Sequence, residues 1–380
     1  MNRTKNGSKL LRMNAPMIRK YAELIAGYSI AAREGERILV EGNVAAEPLM
    51  KEIMISLLKR GCHPFLKPFF DDSLKVFLSN ASQDQIGYLH GTELFEAGYW
   101  DASIRVRAPR IVKALSGVAP GLISCYNRKF RPVSDIMQRR EAKKGWRWSL
   151  LLFPTAGLAG EAGMSQAEFE DYVIRTCKLD AADPAAEWKK LSAEQAGLIR
   201  RLEGIKGIRI ESPDTDLSFA VKGRRWVNSD GKRNMPSGEV FTSPVENSVS
   251  GHIRFSFPGI HMGQEIRDIR LEFRKGRVIS AKAARGEGLL KALLKADSGA
   301  SRVGEFAFGT NRGANRFVKN MLFDEKMAGT IHLALGNSFS EAGGRNRSSI
   351  HWDLLKSMAG KSRIFADRRL IYENAELLID

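Results

Sequence analysis

Apolar and polar positions along this chain follow two periods, and the change from one to the other divides it. The helical period governs the first half. Residues 18–32 predict a helix and residues 36–42 a strand and turn. Residues 45–60 predict an amphipathic helix with Leu49, Met50, Ile53, Met54, Leu57 and Leu58 on one stripe, ended by Gly61. Strands are expected at 65–66 and at 102–107 before Pro109, so strands alternate with helices, as in a parallel sheet with covering helices. A helix over 134–144, a buried strand over 148–153, and helices over 165–177, with Ser165 placed to cap, and 184–203 complete this half. From residue 208 the period shortens to two. Segments 208–210, 217–221, 239–242, 252–257, 269–273 and 278–283 read as strands broken by Gly, Asn, Asp and Pro. The expected fold class is α/β: a basic flexible leader (1–16), an N-terminal domain with a parallel sheet and covering helices (17–205), and a C-terminal β-rich α+β domain (206–380).

Composition changes this picture in one respect. A chain of 380 residues with 43% hydrophobic and 27% charged residues is that of an ordinary globular protein, not a collagen, coiled coil or membrane bundle. The charge is unusual: 60 Lys and Arg against 43 Asp and Glu give +17, which invites an anionic partner. The densest candidate runs through Tyr126, Arg128, Lys129, Phe130, Arg131, Arg139, Arg140, Lys143, Lys144, Trp146, Arg147 and Trp148. A helix with a solvated charged face running into a buried strand accounts for the same residues, and is the favoured reading over a nucleic-acid surface. Cys62, Cys125 and Cys177 are too scattered for a disulfide framework or a zinc ribbon, which fits a reducing cytoplasm. No apolar run approaches the roughly 20 residues a membrane helix needs, and no glycine-rich nucleotide fingerprint occurs.

The candidate chemistry lies near the C-terminus. In residues 329–336 the alternation puts Ile331, Leu333 and Leu335 on one face of a strand and His332 on the other, beside small Ala334. In His351-Trp352-Asp353 an extended backbone points imidazole and carboxylate the same way, as two ligands of one ion or a ligand with its orienting partner require.

Four blocks in order resemble the thermophilic metalloaminopeptidase family, peptidase family M29. They are Pro236-Ser-Gly-Glu239-Val-Phe-Thr-Ser-Pro244, then Val303-Gly-Glu305-Phe, then the run from Asn320 through His332 to Gly336, then Gly343-Gly-Arg-Asn-Arg-Ser-Ser-Ile-His351-Trp-Asp353. The opening from Arg19 through residues 34–40 is similar as well. The resemblance implies a C-terminal domain carrying a dinuclear metal site, a homodimer, and an aminopeptidase acting on peptides or small amides. The metal-binding side chains it implies are Glu239, Glu305, His332, His351 and Asp353, with Glu239 or Glu305 moving the proton. Three carboxylates and two neutral imidazoles suit two divalent ions (Zn²⁺, Co²⁺ or Mg²⁺) about 3.5–4 Å apart. Competing readings make Glu239 a solvated strand residue, Glu305 a turn carboxylate near Arg302, and Asp353 the cap of a helix starting near residue 354. One position departs from the family pattern: Phe339 stands where a tyrosine is expected, and a phenyl ring cannot bind a metal or an oxyanion. This leaves open a slower peptidase, a hydrolase of a different amide, or changed chemistry. The dihydroxypyridine dioxygenases resemble the same fold with a single iron, but the Glu239, Glu305 and His332 set favours the hydrolase. A third reading is an inactive basic scaffold. On the hydrolase reading, the excess positive charge surrounds an acidic site and either steers acidic peptides, with Arg345 or Arg347 meeting their carboxylates, or reflects the host's solution conditions.

Overall fold

The computed structural model describes residues 10–261 and 263–378. Its contacts divide the chain into two compact units, the first running to Ala185 and including Gly231–Met235, the second comprising Ala186–Asp230 and the chain from Pro236 onward. The expected boundary between residues 205 and 206 falls later than this division. The reason is the helix Pro184–Leu202, whose Leu198 and Leu202 pack into the core of the second unit.

The first unit is built on a parallel sheet in the order His63–Phe69, Arg37–Asn43, Ala102–Arg107, Arg147–Leu152, Asn234–Met235. The two central strands bury Ile38, Leu39, Val40, Ile104 and Val106, the near-continuous apolar runs expected of strands covered on both faces. The amphipathic helix is Glu47–Leu58. It buries Leu49, Met50, Ile53 and Leu57 but leaves Leu58 exposed, so the stripe is narrower than its sequence pattern.

The leader 1–16 needs correction. Residues 1–9 lie outside the described residues, but the rest is tied down: Leu10 is buried, the Leu11 N–H donates to Asp171, and Arg12 pairs with Glu170 at 2.6 Å. Pro16 opens a helix rather than closing a leader. It sits in the first turn of Ala15–Leu24, where proline's missing N–H costs nothing, and Asn14 caps that turn by accepting from the Met17 N–H.

The basic aromatic stretch folds as the helices Pro120–Lys129 and Arg131–Ala142, neither of which buries a residue fully. Two of its cations serve the fold. The Lys129 ammonium stands over the rings of Tyr126 and Phe130 and donates to the Tyr88 carbonyl, and Arg140 donates to the carbonyls of Ala97, Trp100 and Gly145. Among the described residues no helix is long and apolar enough to cross a membrane, and no disulfide joins the cysteines.

The second unit packs two antiparallel sheets around one core. Eight strands form the larger sheet, with Thr215–Ala220 and Gly207–Ser212 at its centre. The smaller runs His351–Ser357, Thr330–Gly336, Val303–Gly309, Glu239–Thr242, Val227–Ser229. Ile210, Leu217, Phe219 and Ile253 from the first meet Phe306, Phe308, Ile331, Leu333 and Leu354 from the second. Each strand of the smaller sheet thus spends alternate residues on this core, which leaves the others on its opposite face.

Candidate metal centre

That opposite face collects the candidate residues. Because antiparallel pairing keeps directly opposed residues on the same side, Glu305, Ala334 and Asp353 form a row across three strands, and His332 lies beside Ala307. Glu239 enters from the next strand opposite Gly309, and His351 begins its strand opposite Gly336. The alanines form a low floor, so the longer side chains can converge above it. A register shift between Val303 and Glu305 re-aims Glu305; at Gly304 a Cβ would stand 2.3 Å from the Asn337 carbonyl, so only glycine permits this approach.

All five residues come together. Nε2 of His332 lies 3.7 Å from Glu239, 3.7 Å from Glu305 and 4.0 Å from Asp353. Nε2 of His351 lies 3.2 Å from Glu305 and 3.4 Å from Asp353. Glu239, Glu305, His332 and Asp353 are buried, while the His351 side chain keeps 28% exposure at the rim. The solvated-strand reading of Glu239 therefore fails, and so does the helix cap at Asp353, because residues 351–357 continue as a strand. Nδ1 of His351 is 2.8 Å from the Asn337 carbonyl. Donating there turns Nε2 toward the cluster, where it could ligate a metal that displaces its proton. Phe339 covers the same imidazole, its ring centre 5.0 Å from that of His351 and 5.3 Å from that of Phe241. Arg347 donates to the Ser338 carbonyl, and Arg345 is exposed with its backbone N–H on Glu246.

The electrostatics call for a cation. Burial would lower the basicity of His332 and His351, but the carboxylates around them overcome it and push His332 up to about 9 and His351 up to about 12. Burial opposes ionisation of Asp353 and Glu305, yet the two imidazoles hold both below the ordinary carboxylate range. Oε2 of Glu239, Nδ1 of His332 and Oδ1 of Asp353 are buried with no hydrogen-bond partner among the described residues. Orphaned oxygens on buried carboxylates are costly, and a coordinated divalent cation satisfies them; the residues fit one.

Two further members were not read from the sequence. A carboxylate oxygen of Glu325 lies within 4.8 Å of donor atoms of His332 and Asp353, and the Lys326 ammonium stands 2.5 Å from both Glu239 and Glu325. Burial, then the charges of Glu239 and Asp353, push Glu325 up to about 8 against the pull of Lys326. Both residues occupy a turn after the short helix Met321–Asp324, where no periodicity marks which side chains turn inward. The available signal was the charged run Asp324-Glu325-Lys326 directly before an apolar strand.

A buried platform of carboxylates and imidazoles converging on orphaned oxygens is the donor set of an enzyme that works with divalent metal. The chain belongs to the thermophilic metalloprotease family M29, whose profile matches residues 14–365. It is similar to Aminopeptidase 2 of Geobacillus stearothermophilus, with 27% identity over 353 residues, covering 84% of this chain and 83% of the relative. The fold is that of wild-type AmpT from Thermus thermophilus (TM-score 0.81, 19% identity, 96% of this chain and 99% of that one). It is also similar, more distantly, to 2,5-dihydroxypyridine dioxygenase from Pseudomonas putida KT2440 (TM-score 0.58, 12% identity, 97% and 98% covered), a likeness of fold alone.

Proposed function

We propose that this protein is an aminopeptidase that removes N-terminal residues from peptides with two divalent ions, of the Zn²⁺, Co²⁺ or Mg²⁺ class, held by Glu239, Glu305, His332, His351 and Asp353. The observation that carries the reading is the convergence of these five side chains with buried, unpartnered donor atoms at their centre. The relative named Aminopeptidase 2 supports the peptide substrate. Bound metal supplies polarisation of the scissile carbonyl and a water acidic enough to attack near neutral pH. The protein's own groups do the rest. Glu305 lies within 3.7 Å of both imidazoles and ties the two halves of the cluster together. Asn337 fixes the tautomer of His351. Glu239 and Glu305 serve as metal ligands on this reading, so we assign proton transfer to the leaving amine to Glu325, the carboxylate outside the five, which lies within 4.8 Å of donor atoms of His332 and Asp353. The active form is a homodimer on this reading.

A matched peptide pair tests the proposal. The metal-loaded protein should release the first residue of a peptide with a free amino group and leave its N-acetylated twin intact. Equal cleavage of both, or cleavage of neither across a panel of N-terminal residues, would sink it.

A further inference from the structure

Lys326 is sealed inside the second unit, its side chain 1% exposed. A buried ammonium is expensive unless carboxylates compensate it, and here Oε1 of Glu239 and Oε1 of Glu325 each stand 2.5 Å from Nζ. The backbone beneath is built to put it there. The Lys326 carbonyl accepts from the Asn311 N–H at 2.9 Å, and the Lys326 N–H donates to the Phe323 carbonyl. Gly309, opposite Glu239 in the ladder, has no side chain where a Cβ would lie 2.1 Å from the Met327 carbonyl, so the turn carrying Lys326 can press against the strand that carries Glu305. With Oε1 of Glu239 engaged, only Oε2 is left for the cluster, and that oxygen is buried with no hydrogen-bond partner among the described residues, 3.7 Å from Nε2 of His332. Four carboxylates (Glu239, Glu305, Glu325 and Asp353) converge within a few ångströms, and the ammonium offsets one of them.

We infer that Lys326 is a resident cation of the metal centre, a positioning residue that holds one oxygen each of Glu239 and Glu325 and fills a position that a further metal ion would otherwise take. Glu239 would then have only Oε2 to offer a metal, and the number of exchangeable ions would be set by a covalently attached charge. This rests on the metal-dependent reading above.

The test compares wild type, Lys326→Ala and Lys326→Arg, each dialysed against Zn²⁺, analysed for metal per chain and checked for fold by circular dichroism. Lys326→Ala should hold one more zinc per chain than wild type, and Lys326→Arg the wild-type number. A wild-type count in folded Lys326→Ala overturns the inference. Should that variant not fold, Lys326→Met, which is uncharged and leaves no room for an ion, carries the test. Its Zn²⁺ affinity, measured by chelator competition, should shift by about tenfold or more, as for other residues that orient ligands; affinity within about twofold of wild type overturns the inference. Wild-type protein that takes up none of Zn²⁺, Co²⁺ or Mg²⁺ would instead defeat the metal-dependent reading on which this rests.

Discussion

His351 shows how much of a site is decided by its neighbours. One nitrogen is fixed by the Asn337 carbonyl, the other faces Glu305 and Asp353, and the ring is covered by Phe339. Phe339 places an apolar wall where a phenol would offer an oxygen to the metal or to the oxyanion of the tetrahedral intermediate. Phe339→Tyr is therefore expected to raise kcat on a good peptide substrate, by about tenfold if the hydroxyl contributes one ordinary hydrogen bond to the transition state. An unchanged or lower kcat, measured with metal content held equal, would show that the wall serves only to pack the imidazole.

At the scale of elements, the segment that delivers His351 is stapled to its neighbour by Asp297. Burial works against this carboxylate's charge, but N–H and hydroxyl donors from Ser349, Ser348 and Gly299 overcome it and hold its pKa down to about 2. A depressed folded pKa means stability that is present above the unfolded value of 3.8 and lost as pH falls through about 2. Asp297→Asn should be less stable than wild type at pH 7 and the gap should close towards pH 2, as read by denaturant unfolding; a gap independent of pH would contradict this account.

The same scale explains what could be read in advance. Strands that alternate cleanly disclosed themselves: Ile331, Leu333 and Leu335 against His332 gave both the element and the face, and the His351-Trp352-Asp353 spacing gave the second pair. Glu325 and Lys326 did not, because a turn held by Asn320 and Asp324 has no period and inward-facing charges look like solvated ones. The first-turn role of Pro16 and the early transfer of helix 184–202 to the second core were hidden for a related reason. Both depend on which distant surface an element packs against, which local pattern does not record.

For the whole molecule, the charge of +17 first suggested an anionic polymer as partner. Its most conspicuous cluster turns out to spend Lys129 on an aromatic cage and Arg140 on three carbonyls, while the second unit gathers four carboxylates into one buried cluster. On the proposed reading the chemistry sits in that locally acidic cluster, and the most conspicuous basic stretch serves the fold in part. The most direct test of this account is the metal content of the purified chain measured beside its peptidase activity. Two divalent ions per chain are expected, with release of N-terminal residues lost on chelation and restored when metal returns. Turnover that survives complete removal of metal, or a single iron with oxygen-dependent turnover, would contradict it.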